Sequence, residues 1–369
     1  MNQAITKPKM TQKEIHQYRK KLLNWFNKNQ RKLPWRKTKN PYNIWVSEVL
    51  LQQTQVKKVL DYYENFIHQF PDVNTLAKAD LQEILKVWEG MGYYARARNL
   101  HKAVKILIEK QAGRVPDSYS EFRKLPGVGD YIAAAVQSQA FNAPLAVVDG
   151  NVKRVLSRLF LIEKPTNLSS YNKVFKEYAD LLLDQSVPGT FNQAMMELGA
   201  TICRPKKPKC YECSVVNFCK AYKTNQQTKF PVTIQAKPRP EFHIAVGIVR
   251  KDRHVLITQR QPDGLLGAMW EFPGGRVSLG ESTKHACIRK IKEKVNLDVE
   301  VSSFLTRINH TYTHFKITVD VFNCRCQSGK VVLNGPQNYR WISIEELDKF
   351  PFHTANHKFI PLLRKKLRE

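Results

Sequence analysis

A mostly α-helical domain followed by an α+β domain is the architecture this sequence predicts, and three observations predict it. Up to about residue 201, apolar side chains recur at helical spacing and are interrupted by short Gly and Pro turns. Residues 221–240 then hold no acid, four basic residues and three prolines, a linker composition. Beyond them, alternating and β-branched runs replace the helical period, with one amphipathic helix among them. The chain's 369 residues are too many for one ordinary domain and suit two or three. The expected organisation is a helical domain over 1–220, a linker over 221–240 and a second domain over 241–369.

The elements follow in order. From Ile44 to Phe70, Val49, Leu50, Val56, Val59, Tyr63 and Phe66 keep helical phase; Pro41 sits near the start and Pro71 ends the segment. Leu81–Trp88, closed by Gly90, and Ala95–Lys110 read as further helices. Leu125-Pro-Gly-Val-Gly129 is a turn leading to an Ala-rich helix over Tyr131–Phe141. Val152, Val155, Leu156, Leu159 and Phe160 mark another helix, and two more cover 170–184 and 190–201. In the second half, Phe242–Val249, Val255–Gln259, Val299–Thr306 and Lys316–Cys324 read as strands, and Ser282–Val295 as a helix.

Charge narrows the partner. Sixty Lys and Arg stand against 32 Asp and Glu, a formal net of +28, which favours a polyanion. Residues 1–220 carry +16, 221–240 carry +4 and 241–369 carry +8, so the excess is spread throughout. No apolar run is long enough to span a membrane, and Met1–Lys13 lacks the apolar core of a secretory signal. The expectation is a cytoplasmic monomer that binds nucleic acid and no membrane. Seven cysteines, an odd number, suit a reducing compartment with thiols kept free or used for metal.

Four of those cysteines, Cys203, Cys210, Cys213 and Cys219, fall within 203–219 with spacing C-x6-C-x2-C-x5-C. Four thiolates so close can wrap one metal centre, and spacing alone leaves iron–sulfur and zinc open. Arg204, Lys206, Lys207 and Lys209 sit inside the loop, placed to offset its negative charge or to meet phosphates. Gly127 and Gly129 flank one apolar residue just before a helix, so backbone N–H groups there can approach an anion. That is the hairpin of a helix-hairpin-helix, which grips phosphate without reading bases. Glu48 lies among apolar neighbours, which would raise its pKa and keep a proton available. Asp149 precedes an apolar-periodic helix, where it is either an N-cap or a carboxylate kept ionised by the helix N-terminus. Two carboxyls tuned in opposite directions would make an acid and a charge stabiliser.

Together these features resemble the MutY family of adenine DNA glycosylases, within the endonuclease III superfamily. The resemblance is carried by Leu33-Pro-Trp-Arg36, the Trp45–Val56 segment containing Glu48, Gly90–Asn99, the hairpin, Val148-Asp-Gly-Asn-Val152 and the four cysteines. It implies a base-excision enzyme that flips out and hydrolytically removes adenine mispaired with 8-oxoguanine or guanine in duplex DNA. It assigns Glu48 as general acid and base, and Asp149 as the group that stabilises or traps the oxocarbenium sugar. Tyr131 and Asn151 are the polar groups beside them, and a [4Fe-4S] cluster sits on the four cysteines. Gln53, Thr54 and Tyr93 match probes of the opposite strand, and Arg31, Leu51 and Gln193 match the adenine pocket. Position 131 discriminates further: endonuclease III-like members carry a Schiff-base lysine there, and a tyrosine cannot form an imine. A monofunctional enzyme is expected.

The second domain resembles the Nudix fold of MutT pyrophosphohydrolases. Gly275-x5-Glu281-x7-Arg289 opens the signature, but Lys290 and Lys294 replace two of its metal-binding acids, so nucleotide hydrolysis is expected to be lost. Tyr312-Thr313-His314 matches the family's Phe-Ser-His motif that reads 8-oxoguanine; Thr keeps the hydroxyl and His the polar ring. The competing readings are an endonuclease III-like pyrimidine-lesion lyase, a Nudix hydrolase of free nucleotides and a non-catalytic lesion-binding protein. Tyr131, the two lysines, and the presence of both Glu48 and Asp149 argue against them in turn.

Overall fold

The computed structural model describes residues 10–235 and 238–366. Its helices are α1 (Gln12–Asn29), α2 (Pro41–Leu51), α3 (Val56–Gln69), α4 (Val73–Lys78), α5 (Leu81–Val87), α6 (Ala95–Gln111), α7 (Tyr119–Arg123) and α8 (Asp130–Ala140). They continue as α9 (Gly150–Phe160), α10 (Asn172–Leu182), α11 (Pro188–Thr201) and α12 (Lys220–Lys223). The strands are β1 (Glu241–Lys251), β2 (His254–Gln259), β3 (Trp270–Glu271), β4 (Gly274–Arg276), β5 (Asp298–Thr311), β6 (Lys316–Ser328) and β7 (Asn338–Ile342). Helix α13 (Thr283–Val295) lies between β4 and β5, and α14 (Thr354–His357) and α15 (Ile360–Lys366) close the described chain.

The chain divides into two compact units. One holds the described residues up to Asn74 and those from Lys102 to the linker; the other holds Thr75–His101 and the described residues from 238 onward. The first unit is helical. Tyr18, Leu22 and Phe26 of α1 pack with Leu156 and Leu159 of α9, Phe175 and Leu182 of α10, and Phe191 and Leu198 of α11. Burial of such side chains contributes about 1.5–3 kcal/mol each, which drives the helices together. Local signals set the ends: Thr11 and Glu14 form a reciprocal capping box on α1, and Asn40 caps α2 ahead of Pro41.

The run from Ile44 to Phe70 is two helices rather than one. It breaks at residues 52–55, where Gln53 adopts φ +55°. The apolar residues on either side stay near helical phase, which hid the break from the sequence reading. Part of the stretch read as linker is tied to the first unit. Arg158 Nε donates to the Phe230 carbonyl at 2.9 Å, and Asn167 exchanges hydrogen bonds with the backbone of Ile234.

The second unit is built on a seven-stranded mixed sheet, β3-β2-β1-β6-β5, with β4 pairing β1 and β7 pairing β2. Strands β1 and β6 run parallel and the other pairs antiparallel. One face packs Ala245, Val249 and Phe322 under α13 through Cys287 and Ile291. The other packs Ile248, Val319 and Val321 under Phe352, Phe359 and Leu363 near the C-terminus. Gly247 lies beneath α13, where a Cβ would stand 2.5 Å from Ile291 Cδ1, so the helix approaches closely only because glycine is there. Thr75–His101 packs into this unit. Gln82 Nε2 donates to the Ala268 carbonyl at 3.0 Å, Trp270 Nε1 donates to Gln82 Oε1 at 2.8 Å, and Glu89 pairs with His357 at 2.9 Å.

Candidate active site

In the first unit, α2, α8, α9 and α11 bring their polar residues to one cavity of about 150 Å³. A void of that order takes one aromatic ring. Glu48 comes from the middle of α2, where apolar neighbours leave it 3% exposed. The turn at Gly127, with φ +77°, feeds α8, whose first residues are Asp130 and Tyr131. Gly129 takes an ordinary φ, and a Cβ there would meet no protein atom, so the start of α8 stands open. Asp149 ends an extended segment and caps α9.

The hydrogen bonds are specific. Tyr131 Oη donates to Glu48 Oε2 at 2.6 Å, and Gln139 Nε2 donates to Glu48 Oε1 at 2.9 Å. Gln193 Nε2 donates to Gln139 Oε1 at 3.0 Å, which fixes the Gln139 amide with its N–H toward Glu48. Asp149 Oδ1 accepts from the Val152 backbone N–H at 2.7 Å and Oδ2 from Asn151 Nδ2 at 2.8 Å. The N-cap and the cavity carboxylate are therefore one residue. Arg154 holds Asn151 in turn: its Nη2 donates to Asn151 Oδ1 at 2.9 Å and its Nε to the Cys203 carbonyl at 2.8 Å.

Electrostatics correct the sequence reading on one point. Burial raises the Glu48 pKa, as expected; Tyr131 and Gln139 oppose the rise and the nearby Asp149 adds to it. Burial also raises Asp149, and the Val152 and Asn151 bonds offset this only in part. The two carboxyls are thus not tuned in opposite directions. The helix N-terminus does act on Asp149, but desolvation outweighs it.

Of the residues picked from sequence, Arg31, Glu48, Leu51, Thr54, Tyr131, Asp149, Asn151 and Gln193 all line this cavity. Gln53 is exposed at the α2–α3 break and does not line it. Gln139 and Glu197 went unrecognised. Glu197 is 1% exposed, and it accepts from Arg31 Nε and Nη2, each at 2.7 Å, and from Arg36 Nη2 at 2.9 Å. Burial alone would raise its pKa, but the two guanidiniums hold it at about 2. The signal was present in α11: Gln193, Met196, Glu197 and Ala200 recur at helical spacing and face the cavity together.

The four cysteines converge in the same unit. Burial and the nearby Cys203, Cys219 and Cys210 push the Cys213 thiol up to about 12. Arg158 Nη1 lies 3.3 Å from Cys203 Sγ. Among the described residues no three such donors gather tightly enough to hold a single metal ion. Four mutually close thiols beside a guanidinium are a donor set that suits an iron–sulfur cluster.

In the second unit, Tyr93, Tyr312, Thr313 and His314 border a separate cavity of about 350 Å³. The β5–β6 turn closes with Tyr312 N–H donating to the Phe315 carbonyl at 2.8 Å, which presents Thr313 and His314 at its tip. Tyr93, with φ +50°, shares a hydrogen bond between its hydroxyl and that of Thr313, and Arg96 lies over its ring. The Nudix acids are all engaged by cations. Glu281 pairs with Arg289, Glu293 with Arg289 and Lys290, and Lys294 Nζ lies 3.1 Å from Glu271. Among the described residues no helix is long and apolar enough to cross a membrane.

Comparison with known proteins finds two families along the chain. Residues 46–180 match the HhH-GPD superfamily of base excision DNA repair proteins, and 245–362 match the NUDIX domain. Adenine DNA glycosylase of Rattus norvegicus is 31% identical, covering 94% of this chain and 77% of its own. The Homo sapiens enzyme is 31% identical over 93% of this chain and 72% of its own. Among solved structures, a thermostable thymine-DNA glycosylase aligns with TM-score 0.53 at 33% identity, covering 57% of this chain and 98% of that one. A trapped endonuclease III–DNA covalent intermediate aligns with TM-score 0.50 at 25% identity, covering 59% of this chain and 99% of that one.

Proposed function

The chain belongs to the adenine DNA glycosylases of base-excision DNA repair, and we propose that it removes adenine mispaired with 8-oxoguanine or guanine from duplex DNA. The observation that supports this most is the pairing of Glu48 and Asp149 in one desolvated, ring-sized cavity with every carboxylate oxygen hydrogen-bonded. Adenine leaves far more readily when protonated, and burial raises the Glu48 pKa, so its carboxyl keeps a proton to higher pH than a free one would. Glu48 donates that proton to the flipped base. Gln139 donates to Oε1 and Tyr131 to Oε2, and the two bonds orient the carboxyl in the cavity. As the bond breaks, positive charge develops on the sugar, and the Asp149 carboxylate stabilises or captures it, as paired carboxylates do in retaining glycosidases. Glu48, now ionised, then draws the proton from the attacking water.

Arg31, with Leu51 and Gln193, holds the base in this reading, and Glu197 holds Arg31 in turn. Gln53, Thr54 and Tyr93 probe the opposite strand, and Thr313 and His314 read the edge of 8-oxoguanine. Gly127 and Gly129 approach phosphate at the start of α8. Cys203, Cys210, Cys213 and Cys219 hold a [4Fe-4S] cluster, which when bound cross-links the 203–219 loop and fixes its lysines for phosphate contact. With tyrosine at 131 in place of an amine, the enzyme cuts only the glycosidic bond. The test is a duplex panel carrying adenine opposite 8-oxoguanine, guanine or thymine, with borohydride added in parallel. Adenine release from the first two and no trapped protein–DNA adduct is the expected result. Release from none of them, or a trapped adduct in good yield, overturns the reading.

A further inference from the structure

In the first unit, a chain of side-chain hydrogen bonds ends on Glu48. Gln193 of α11 donates from Nε2 to Gln139 Oε1 at 3.0 Å, and Gln139 of α8 donates from Nε2 to Glu48 Oε1 of α2 at 2.9 Å. Gln139 is 3% exposed, two turns into a helix that buries Ile132, Ala133, Ala134, Ala135 and Val136. An amide costs more to bury than an aliphatic side chain of similar size, unless both its ends are bonded. Here both are bonded, one to the carboxyl and one to the cavity wall. The backbone is held as well, because Lys39 Nζ donates to the Gln139 carbonyl at 3.0 Å.

The chain has a direction. An ionised carboxyl only accepts, so Gln139 must turn its N–H to Glu48 and its carbonyl away. That carbonyl meets the N–H of Gln193. Without Gln193, nothing in this chain would stop the amide from turning over and setting a carbonyl against the carboxylate. Gln193 is half-buried and lines the cavity, so the outer end of the chain borders the space in which the base is held in the reading above.

We propose that Gln139 is a positioning residue, which steers the Glu48 carboxyl and favours its ionised form, and that Gln193 locks it in that orientation. The proposal rests on reading Glu48 as the acid that protonates adenine. Glu48 gives up a proton to the base and then takes one from water, so a carboxyl driven too far toward its neutral form would be a poor base. Burial pushes the Glu48 pKa up and Asp149 adds to the rise, whereas Tyr131, Gln139 and Arg36 oppose it. Arg31 and Glu197 border the same cavity but are paired with each other. Of the groups that act on Glu48, only Gln139 cannot ionise, so its removal leaves the charges of the cavity as they are.

The test reads the titration of Glu48 in DNA-free protein, by NMR of isotope-labelled glutamate carboxyls. The Glu48 resonance is the one that Glu48→Gln removes. Gln139→Met, of similar bulk without the amide, raises the midpoint by about one pH unit, the size of one lost hydrogen bond to a charge. Gln193→Met raises it by less and adds nothing in the Gln139→Met background. Gln139→Leu serves in its place if the methionine variant does not fold. An unchanged midpoint in a folded Gln139 variant, or shifts that add, overturns the proposal. Single-turnover adenine release gives a second readout: its alkaline limb moves to higher pH by the same interval. A rate lowered equally at every pH marks a merely structural role and also overturns it. If the midpoints shift as stated but wild type releases no adenine, the reading of Glu48 as the acid falls, and Gln139 stands as the group that sets its titration.

Discussion

Replacing Glu197 by Gln removes the charge that holds Arg31 and Arg36 at the cavity. The cost can be worked two ways. The two guanidiniums lower the Glu197 pKa from 4.5 to about 2. At 1.36 kcal/mol per unit, that shift is linked to about 3 kcal/mol of stability. Removing one partner of a buried ion pair costs about 3–5 kcal/mol, and solvent screening of Arg31, which is 39% exposed, argues for the lower end. About 3 kcal/mol is therefore expected at pH 7. The sign follows from the depressed pKa: the contribution is complete above the unfolded value near 4.5 and is lost as pH falls through about 2. Urea unfolding of wild type and Glu197→Gln at pH 7 and pH 3 measures it. The gap should roughly halve at the lower pH. Equal midpoints at pH 7, or a gap that does not shrink on acidification, would refute the role of Glu197 as the clamp.

Other outcomes follow from the same geometry. Because burial raises its pKa, ionised Glu48 opposes folding above the usual carboxylate range. Glu48→Gln should accordingly raise the melting temperature at pH 7 but not at pH 4, a gain of about 0.5–2 kcal/mol seen by calorimetry. Substituting any one of Cys203, Cys210, Cys213 or Cys219 by Ser should lower the iron and sulfide content of the purified protein and its broad visible absorption. Unchanged iron, or zinc in its place, would contradict the cluster assignment. Tyr131→Phe removes the hydroxyl on Glu48 Oε2 and should slow adenine release at saturating substrate more than it changes binding of an abasic-analogue duplex.

Much of the candidate site was legible in sequence because its residues sit in short motifs whose spacing is local. Glu48, Tyr131, Asp149 and Asn151 come from three separate helices or caps and meet within one cavity. What escaped the reading depended on tertiary contacts. Glu197 gains its meaning from Arg31 and Arg36, more than 160 residues earlier in the chain. Gln139 is one amide in an Ala-rich helix until Gln193 orients it. The balance on Asp149 was misjudged because a cap predicts a lowered pKa, whereas the depth of burial, set by packing, decided the sign.

In the fold, the α2–α3 break was hidden by residues that keep apolar phase on both sides of it. Strands β3, β4 and β7 are two to five residues long, too short for a period of two to register. The membership of Thr75–His101 in the second unit rests on pairings such as Gln82 with Trp270 and Glu89 with His357. No local pattern encodes those pairings.

The central claim is that two carboxyls in one cavity, Glu48 buried and Asp149 half-buried, cut the adenine glycosidic bond. Single-turnover release of adenine from a duplex with adenine opposite 8-oxoguanine, for wild type, Glu48→Gln and Asp149→Asn, tests it most directly. The account predicts release by wild type and a loss of at least about a hundredfold in each variant, while binding to an abasic-analogue duplex is retained. Variants that release adenine at the wild-type rate would contradict it.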